Sequence, residues 1–444
     1  MTAIGPRPRG LPIAPVAPPA RRRLPLAEHA RDVDRAHRPR YAVWELTLRC
    51  DLACRHCGSR AGKARPSELS TSEALDVVRQ LAEMGTKEVT LIGGEAYLHD
   101  GWFDVASAIT ASGMEMTMVT GGRGITEERA RQLEQAGAKA VGVSVDGLED
   151  MHDALRGVRG AFRSAIDAIR LLRARGLRVS VNTQIARPAL LQIEPLLDRL
   201  MDEGIEGWQV SMTVPMGRAA DEPELLLQPY QVLEVLPLIA RIETKARRRD
   251  VDVAPGNDIG YFGPYEEQLR ARFHGGHRMA CTAGKGTLGI EADGSVKGCP
   301  SLPTKDYVGG NLRDDDLQSI WERAETLRFA RDRTEKELWG FCGDCYYGED
   351  CLGGCTWTAH VLFGKRGNNP YCHHRALELL ARGTRERIVR VEAPEGLPFD
   401  FGRFECIEEP WPSDELDRAR ELARTGEGFL NETLARAGAS ITSS

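Results

Sequence analysis

The segment Val43-Trp-Glu-Leu-Thr-Leu-Arg-Cys50-Asp-Leu-Ala-Cys54-Arg-His-Cys57 decides how the rest of the chain is read. Its first half, Val43 to Leu48, is a short β-branched and apolar run, the pattern of a buried strand. Its second half places three cysteines at the spacing C-x3-C-x2-C, directly after that strand. A cubane iron–sulfur cluster has four irons, each wanting one outside ligand, so three thiolates on one loop leave one iron open to bind another molecule. Three unrelated buried cysteines, or a zinc site short of one ligand, are the alternatives that spacing alone leaves standing.

Outward from this segment the chain alternates short β-branched runs with longer amphipathic ones. Further strands are expected at Glu88 to Ile92, Met114 to Val119, Ala140 to Val145, Arg178 to Thr183 and Trp208 to Met212. Helical patterns lie between them: Ser72 to Met84 with Leu75, Val78 and Leu81 on one face, and Ala161 to Arg173 with Phe162, Ile166, Ile169 and Leu172. Gly85, Gly137, Gly176 and Gly204 stand where helices end. Strand, helix and strand in succession imply parallel pairing through right-handed crossovers. The fold class is therefore α/β, a partial (β/α)6 barrel, with its active site expected at the C-terminal ends of the strands.

The eleven cysteines fall into groups: three from Cys50 to Cys57, seven from Cys281 to Cys372, and Cys406 alone. A chain of 444 residues with 41% hydrophobic content builds a large core without disulfide staples, so metal or redox chemistry is the better reading of these thiols. The second group reads C-x12-G-x4-C on Cys281, Gly294 and Cys299. It continues as C-x2-C-x5-C-x3-C on Cys342, Cys345, Cys351 and Cys355, and closes with Cys372. Thiolates at this spacing suit iron–sulfur clusters or a pair of zinc ribbons. The surrounding segment has few large apolar residues and needs metal to hold it.

Composition bounds the partners. Fifty-nine basic against 65 acidic side chains give a net charge of -6, which offers no general attraction for nucleic acid or anionic membrane. No apolar run approaches the roughly 18 residues of a membrane span, and no secretion signal precedes the barrel, so a cytoplasmic protein is expected. The Pro- and Arg-rich start, without an acidic residue in its first 27 positions, cannot pack a core. The expected organisation is a disordered arm over 1–40, the barrel over 41–220 and a linker over 221–278. A small Cys-rich domain over 279–375 and a C-terminal tail with helices over 376–444 complete it.

Cys50, Cys54 and Cys57, with Gly93-Gly94-Glu95 after the second strand, resemble the radical S-adenosylmethionine (SAM) superfamily. In that family the open iron chelates the methionine moiety of SAM and the Gly-Gly-Glu segment faces its amino group. The resemblance implies that Gly93 and Gly94 let backbone approach closely and that Glu95 complements an ammonium. It extends to Ser144 and Asp146 in the Ser144-Val145-Asp146-Gly147 segment, followed by His152-Asp153 and Arg156-Gly157. Thr120 and Asn182, at the ends of the third and fifth strands, occupy similar cofactor-side positions. Ala96 stands where proline is usual after the glutamate, and His56 where an aromatic often precedes the third cysteine.

The second cysteine group resembles the seven-cysteine signature of the SPASM extension, an auxiliary-cluster domain of peptide-modifying members of this superfamily. The resemblance implies three 4Fe-4S clusters. One auxiliary cluster would sit on Cys342, Cys345, Cys351 and Cys372, another on Cys281, Cys299 and Cys355. Seven thiolates cannot fill eight iron positions, so the latter has a non-cysteine ligand or an open iron. The implied activity is reductive cleavage of SAM to a 5′-deoxyadenosyl radical that takes a hydrogen atom from a ribosomally made peptide, leaving an oxidative cross-link or thioether. A small-molecule dehydrogenase or epimerase with the same clusters is the alternative. A flavodoxin- or ferredoxin-type reductant is implied, and leader recognition would need the tail or a separate leader-binding protein.

Overall fold

The computed structural model describes residues 26–270 and 281–430. Its frame is a ten-stranded sheet whose six central strands match the expected ones: β1 (Tyr41–Glu45), β2 (Glu88–Ile92), β3 (Glu115–Thr120), β4 (Ala140–Ser144), β5 (Arg178–Ile185) and β6 (Gly207–Met212). All pair in parallel and in chain order. The crossovers are α2 (Thr71–Glu83), α3 (Trp102–Ala111), α4 (Glu127–Gln135), α5 (Glu149–Arg156) with α6 (Ala161–Ala174), and α7 (Ile193–Asp202), all preceded by α1 (Asp32–Ala36). Gly85, Gly137, Gly176 and Gly204 adopt positive φ at the helix ends, as expected. On α2, Leu75 lies exposed and Ala74, Val77, Val78 and Leu81 form the buried face instead.

Alternate strand positions have separate fates. Val89, Leu91, Met116, Met118, Val141, Val143, Val181 and Val210 pack beneath the helices in one core. The intervening positions, including Thr117, Val119, Ser144, Ser180, Asn182, Gln184 and Ser211, are only half-buried and line the sheet's other face. A helix-covered outer face and a partly open, polar inner face are what a partial barrel requires.

Two expected boundaries are corrected. The 221–278 linker supplies the core helix Val232–Arg247 and a seventh parallel strand, β7 (Asp252–Pro255), beside β6. The segment Pro223–Arg247 is long and apolar enough to cross a membrane, but 83% of its most apolar window is buried inside the protein. At the other edge the Cys-rich domain is not separate from the barrel. Strand β8 (Thr287–Ile290) pairs in parallel with β1 and continues antiparallel into β9 (Ser295–Lys297) and β10 (Val308–Asn311). Buried charges stitch this seam: Arg65 pairs with Glu45 of β1 at 3.1 Å and with Glu291 at 3.1 Å.

The ends also depart from expectation. Residues 1–25 of the expected arm lie outside the described residues, but 26–40 are built into the fold. Asp34 of α1 is fully buried and ion-paired with Arg31, Arg328 and Arg331 at 2.8, 3.0 and 3.1 Å. Burial opposes its charge, yet hydrogen bonds from Arg31 and Arg331 prevail and hold the carboxyl below the usual carboxylate range. A depressed carboxyl pKa stabilises the fold above the unfolded value near 3.9 and loses that contribution as pH falls. Asp34→Asn should cost about 3–5 kcal/mol at neutral pH by stranding buried arginines. In thermal unfolding the gap from the parent should narrow below pH about 4.

The tail contains the helices His373–Ala381 and Ser413–Thr425, and between them an unexpected hairpin of β11 (Thr384–Glu392) and β12 (Arg403–Pro410). The sequence pattern predicts the last of these helices over 414–437, and positions 431–444 lie outside the described residues.

Candidate active site and cysteine sets

Cys50, Cys54 and Cys57 leave the C-terminal end of β1 on a loop clamped from two sides. The last carbonyls of α5, which have no acceptor role within their own helix, receive Ala53 N–H (Arg156 O, 3.1 Å) and Arg55 N–H (Leu155 O, 2.8 Å). Gly157 ends α5 at φ +67°, and a Cβ there would lie 2.5 Å from Ala53 O, so this close passage needs glycine. Arg218, after β6, donates to Cys54 O and Ala61 O at 2.6 and 3.1 Å. The cysteines pack with Leu52, Ala161 and Val158.

Each sulfur faces a donor. Leu52 N–H points at Cys50 Sγ (3.4 Å), Ala61 N–H at Cys57 Sγ (3.4 Å) and Arg156 Nη1 at Cys54 Sγ (3.6 Å). Burial raises the Cys50 thiol and pushes Cys54 up to about 11, so without metal both hold their protons. Such a donor set fits thiolate ligands that lose protons when metal binds.

The Gly93-Gly94 pair lets backbone approach closely, and the backbone that approaches is the chain's own. A Cβ on Gly93 would sit 2.3 Å from Thr47 O, and one on Gly94 2.1 Å from Arg49 O and 2.8 Å from Cys50 Cβ. Gly94 and Glu95 N–H bond to Thr47 O and Arg49 O at 2.8 and 2.7 Å, so the glycines admit the cysteine loop's own backbone. Glu95 is 1% exposed and accepts from Thr120 Oγ1 (2.7 Å) and Gly121 N–H (2.6 Å). Ligand atoms of Glu95, Cys50 and Asp51 lie within 4.8 Å of one another. Burial pushes Glu95 up to about 7, and among the described residues no basic group forms an ion pair with it. A buried carboxylate lacking a cation, beside Cys50, fits a bound ammonium.

Asp146 is engaged with groups of the chain itself. Its fully buried carboxylate meets Arg156 at 2.6 Å and His56 Nε2 at 3.2 Å, and accepts Gln184 N–H at 2.9 Å. Burial raises its pKa, but Arg156 and His56 outweigh this and hold it far below the carboxylate range. Asp146 therefore fixes Arg156 against Cys54, and His56, the departure noted in the sequence, completes the lock. His152 Nδ1 accepts Asp146 N–H, and Asp153 accepts Gly160 and Phe162 N–H at the start of α6. Ser144 and Asn182 face each other across the β4–β5 ladder on the inner face.

The later cysteines fall into two groups by their electrostatic partners. Cys299 interacts electrostatically with Cys281 and Cys355, and burial pushes it up to about 12. Cys372 interacts with Cys351 and Cys342, and Cys342 with Cys345. Tyr261, which sequence reading missed, ties the sets together: its hydroxyl receives Cys355 N–H (3.1 Å) and its carbonyl lies 3.7 Å from Cys372 Sγ. Cys406, on β12, belongs to neither set; it interacts with Glu386 and Arg375.

The tail hairpin's tip was also missed. Phe399 N–H bonds Gly58 O (3.2 Å), next to Cys57, and Asp400 O receives Gly217 N–H (2.8 Å) while its carboxylate holds Arg60 at 2.8 Å. The Phe399 ring packs with Val214, Met216 and Val361, with Lys297 Nζ 3.9 Å from its centroid. Trp357 touches this cluster and also the one containing Cys281 and Cys299. The tip thus joins the first cysteine loop to the Cys281–Cys299–Cys355 set.

Comparison with known proteins agrees with this geometry. The Radical SAM superfamily model matches residues 44–186, and that of the SPASM iron-sulfur cluster-binding domain matches 281–346. The chain is 30% identical over 350 residues to an AdoMet-dependent heme synthase of Methanosarcina barkeri, covering 76% of this chain and 97% of that protein. It is 30% identical over 316 residues to the mycofactocin maturase MftC of Mycobacterium tuberculosis, covering 70% and 77%. The structure of anSMEcpe with bound AdoMet and the Kp18Cys peptide shares the fold, with a TM-score of 0.61, 16% identity, and coverage of 76% and 94%.

Proposed function

Because this chain belongs to the radical SAM superfamily and carries its SPASM domain, we propose that it oxidatively modifies a ribosomally made peptide. When bound, a cluster with SAM supplies the 5′-deoxyadenosyl radical that abstracts hydrogen. In this reading Cys50, Cys54 and Cys57 hold that cluster and Glu95 orients the SAM ammonium. Thr120 and the Gly121 amide keep the Glu95 carboxylate aimed, and Arg156, locked by Asp146, donates toward Cys54. Ser144 and Asn182 line the cofactor side of the inner face. Cys281, Cys299 and Cys355 hold one auxiliary cluster, and Cys342, Cys345, Cys351 and Cys372 the other. The hairpin tip excludes water between the first site and the nearer auxiliary one. The reductant is a flavodoxin- or ferredoxin-type protein, the tail or a separate protein binds the leader, and the reaction is cytoplasmic.

The observation that carries a peptide is the inner face itself. Ser144, Asn182, Gln184 and Ser211 offer hydroxyls and amides, which pair with peptide groups. Arg49, Arg55, Arg60 and Arg156 at the strand ends are each committed to a carboxylate of the chain. The mycofactocin maturase is a relative of the same kind.

The likeness to heme synthase over 97% of its length favours a second reading, a haem precursor as substrate. A tetrapyrrole carries several carboxylates and needs free cations, which these four arginines do not provide; Arg123 and Arg218, which bond backbone carbonyls and no carboxylate among the described residues, are the cations such a substrate would have to use. With SAM and reductant, a precursor peptide encoded beside the gene should give 5′-deoxyadenosine together with a product about 2 Da lighter per modification, two hydrogens having been lost. Turnover of a carboxylated porphyrin with no peptide consumed would establish the second reading. Cys355→Ala should abolish the lighter product while slow SAM cleavage persists, as read by mass spectrometry beside chromatography of 5′-deoxyadenosine.

A further inference from the structure

Each cysteine set has an arginine beside it, but the three arginines are not alike. Arg156, at Cys54, is neutralised by Asp146 at 2.6 Å, and Arg375, which interacts with Cys342, is neutralised by Glu386 at 2.5 Å. Arg333, following the helix Glu325–Asp332, is 7% exposed and interacts electrostatically with Cys281 of one auxiliary set and Cys351 of the other. Its Nη1 donates to Thr356 Oγ1 at 2.9 Å, next to Cys355. Its Nε and Nη2 have no hydrogen-bond partner among the described residues. The carboxylate with which it interacts, Glu337, is already paired with Arg366 at 2.5 Å.

A guanidinium cannot shed its proton, and a buried cation with two idle donors needs an anion. The neighbouring thiols do not supply one while protonated. Thiolates that ligate iron do, together with the net negative charge of the cluster they hold.

We propose that Arg333 is a positioning residue that donates its Nε–H and Nη2–H to sulfur at both auxiliary sets, so that one guanidinium tunes the two auxiliary clusters together. The inference rests on the iron–sulfur reading given above. Hydrogen bonds and positive charge at cluster sulfur favour the reduced, more negative state and raise its potential. Negative charge gained at one set competes for the same guanidinium, which couples the two potentials.

Midpoint potentials of the reconstituted full-length protein test this, followed by electron paramagnetic resonance, with iron content measured in parallel. Arg333→Gln, which removes the charge but retains an amide, should lower both auxiliary potentials and leave that of the Cys50–Cys54–Cys57 cluster unchanged. Arg333→Lys should restore part of the shift. Full iron with unmoved auxiliary potentials would overturn the role of Arg333 alone, whereas a parent protein without auxiliary clusters would overturn the reading beneath it. If the glutamine variant loses auxiliary iron, the lysine variant decides. Retained iron with lowered potentials supports the proposal, and equal iron loss in both variants makes Arg333 a packing residue and overturns it.

Discussion

Replacing Cys50, Cys54 and Cys57 together by alanine should abolish 5′-deoxyadenosine formation while about eight of about twelve irons per chain remain. The loop they occupy is held by backbone contacts independent of their side chains: Leu155 O and Arg156 O on one side and Arg218 on the other. The variant should therefore fold. The auxiliary sets lie on other elements, with Tyr261 as their common tie, and should keep their clusters. Retained SAM cleavage in this variant would place the cofactor elsewhere.

The second large effect belongs to Glu95. Glu95→Gln keeps one oxygen to accept the Gly121 amide and sets its NH2 against Thr120 Oγ1, and it removes the charge facing the ammonium. A charge-assisted hydrogen bond contributes about 1.5–3 kcal/mol, so the dissociation constant for SAM should rise roughly ten- to a hundredfold, with iron content unchanged. Since burial raises the free carboxyl to about 7, the parent's affinity should fall as pH drops below that value, because the protonated acid attracts no cation. The glutamine variant should lack this dependence. Calorimetry that finds equal affinity in the two proteins would reduce Glu95 to a turn residue.

Local pattern made the central sheet legible. The six strands and their helices carry their periodicity within a few residues, and β2 matches its expected span end to end. What escaped was long-range or short. Strands β7 and β8 are four residues each, with Pro255 and Gly289 in them, too brief for periodicity to register. The assignment of 221–278 as a linker failed for that reason, and so did the boundary at 279.

The tail hairpin hides behind a Pro-rich stretch that suggests turns, although the cluster of Phe399, Phe401 and Phe404 could have signalled a packed element. At the site, the structure gives several residues named from sequence a task among the chain's own groups. Gly93 and Gly94 are demanded by backbone carbonyls of the cysteine loop, and Asp146 by Arg156 and His56. Such assignments depend on which atoms meet across the fold, which spacing along the chain does not encode. Tyr261 and Arg333, far from their cysteines in sequence, left no local signal at all.

The most direct measurement is the electron paramagnetic resonance spectrum of the anaerobically purified, reduced protein, titrated with SAM and read beside its metal content. About twelve irons per chain, with the signal of one cluster changed by SAM and those of two others unaffected, is the predicted result. Zinc at about two per chain with little iron, and no spectral response to SAM, would contradict it.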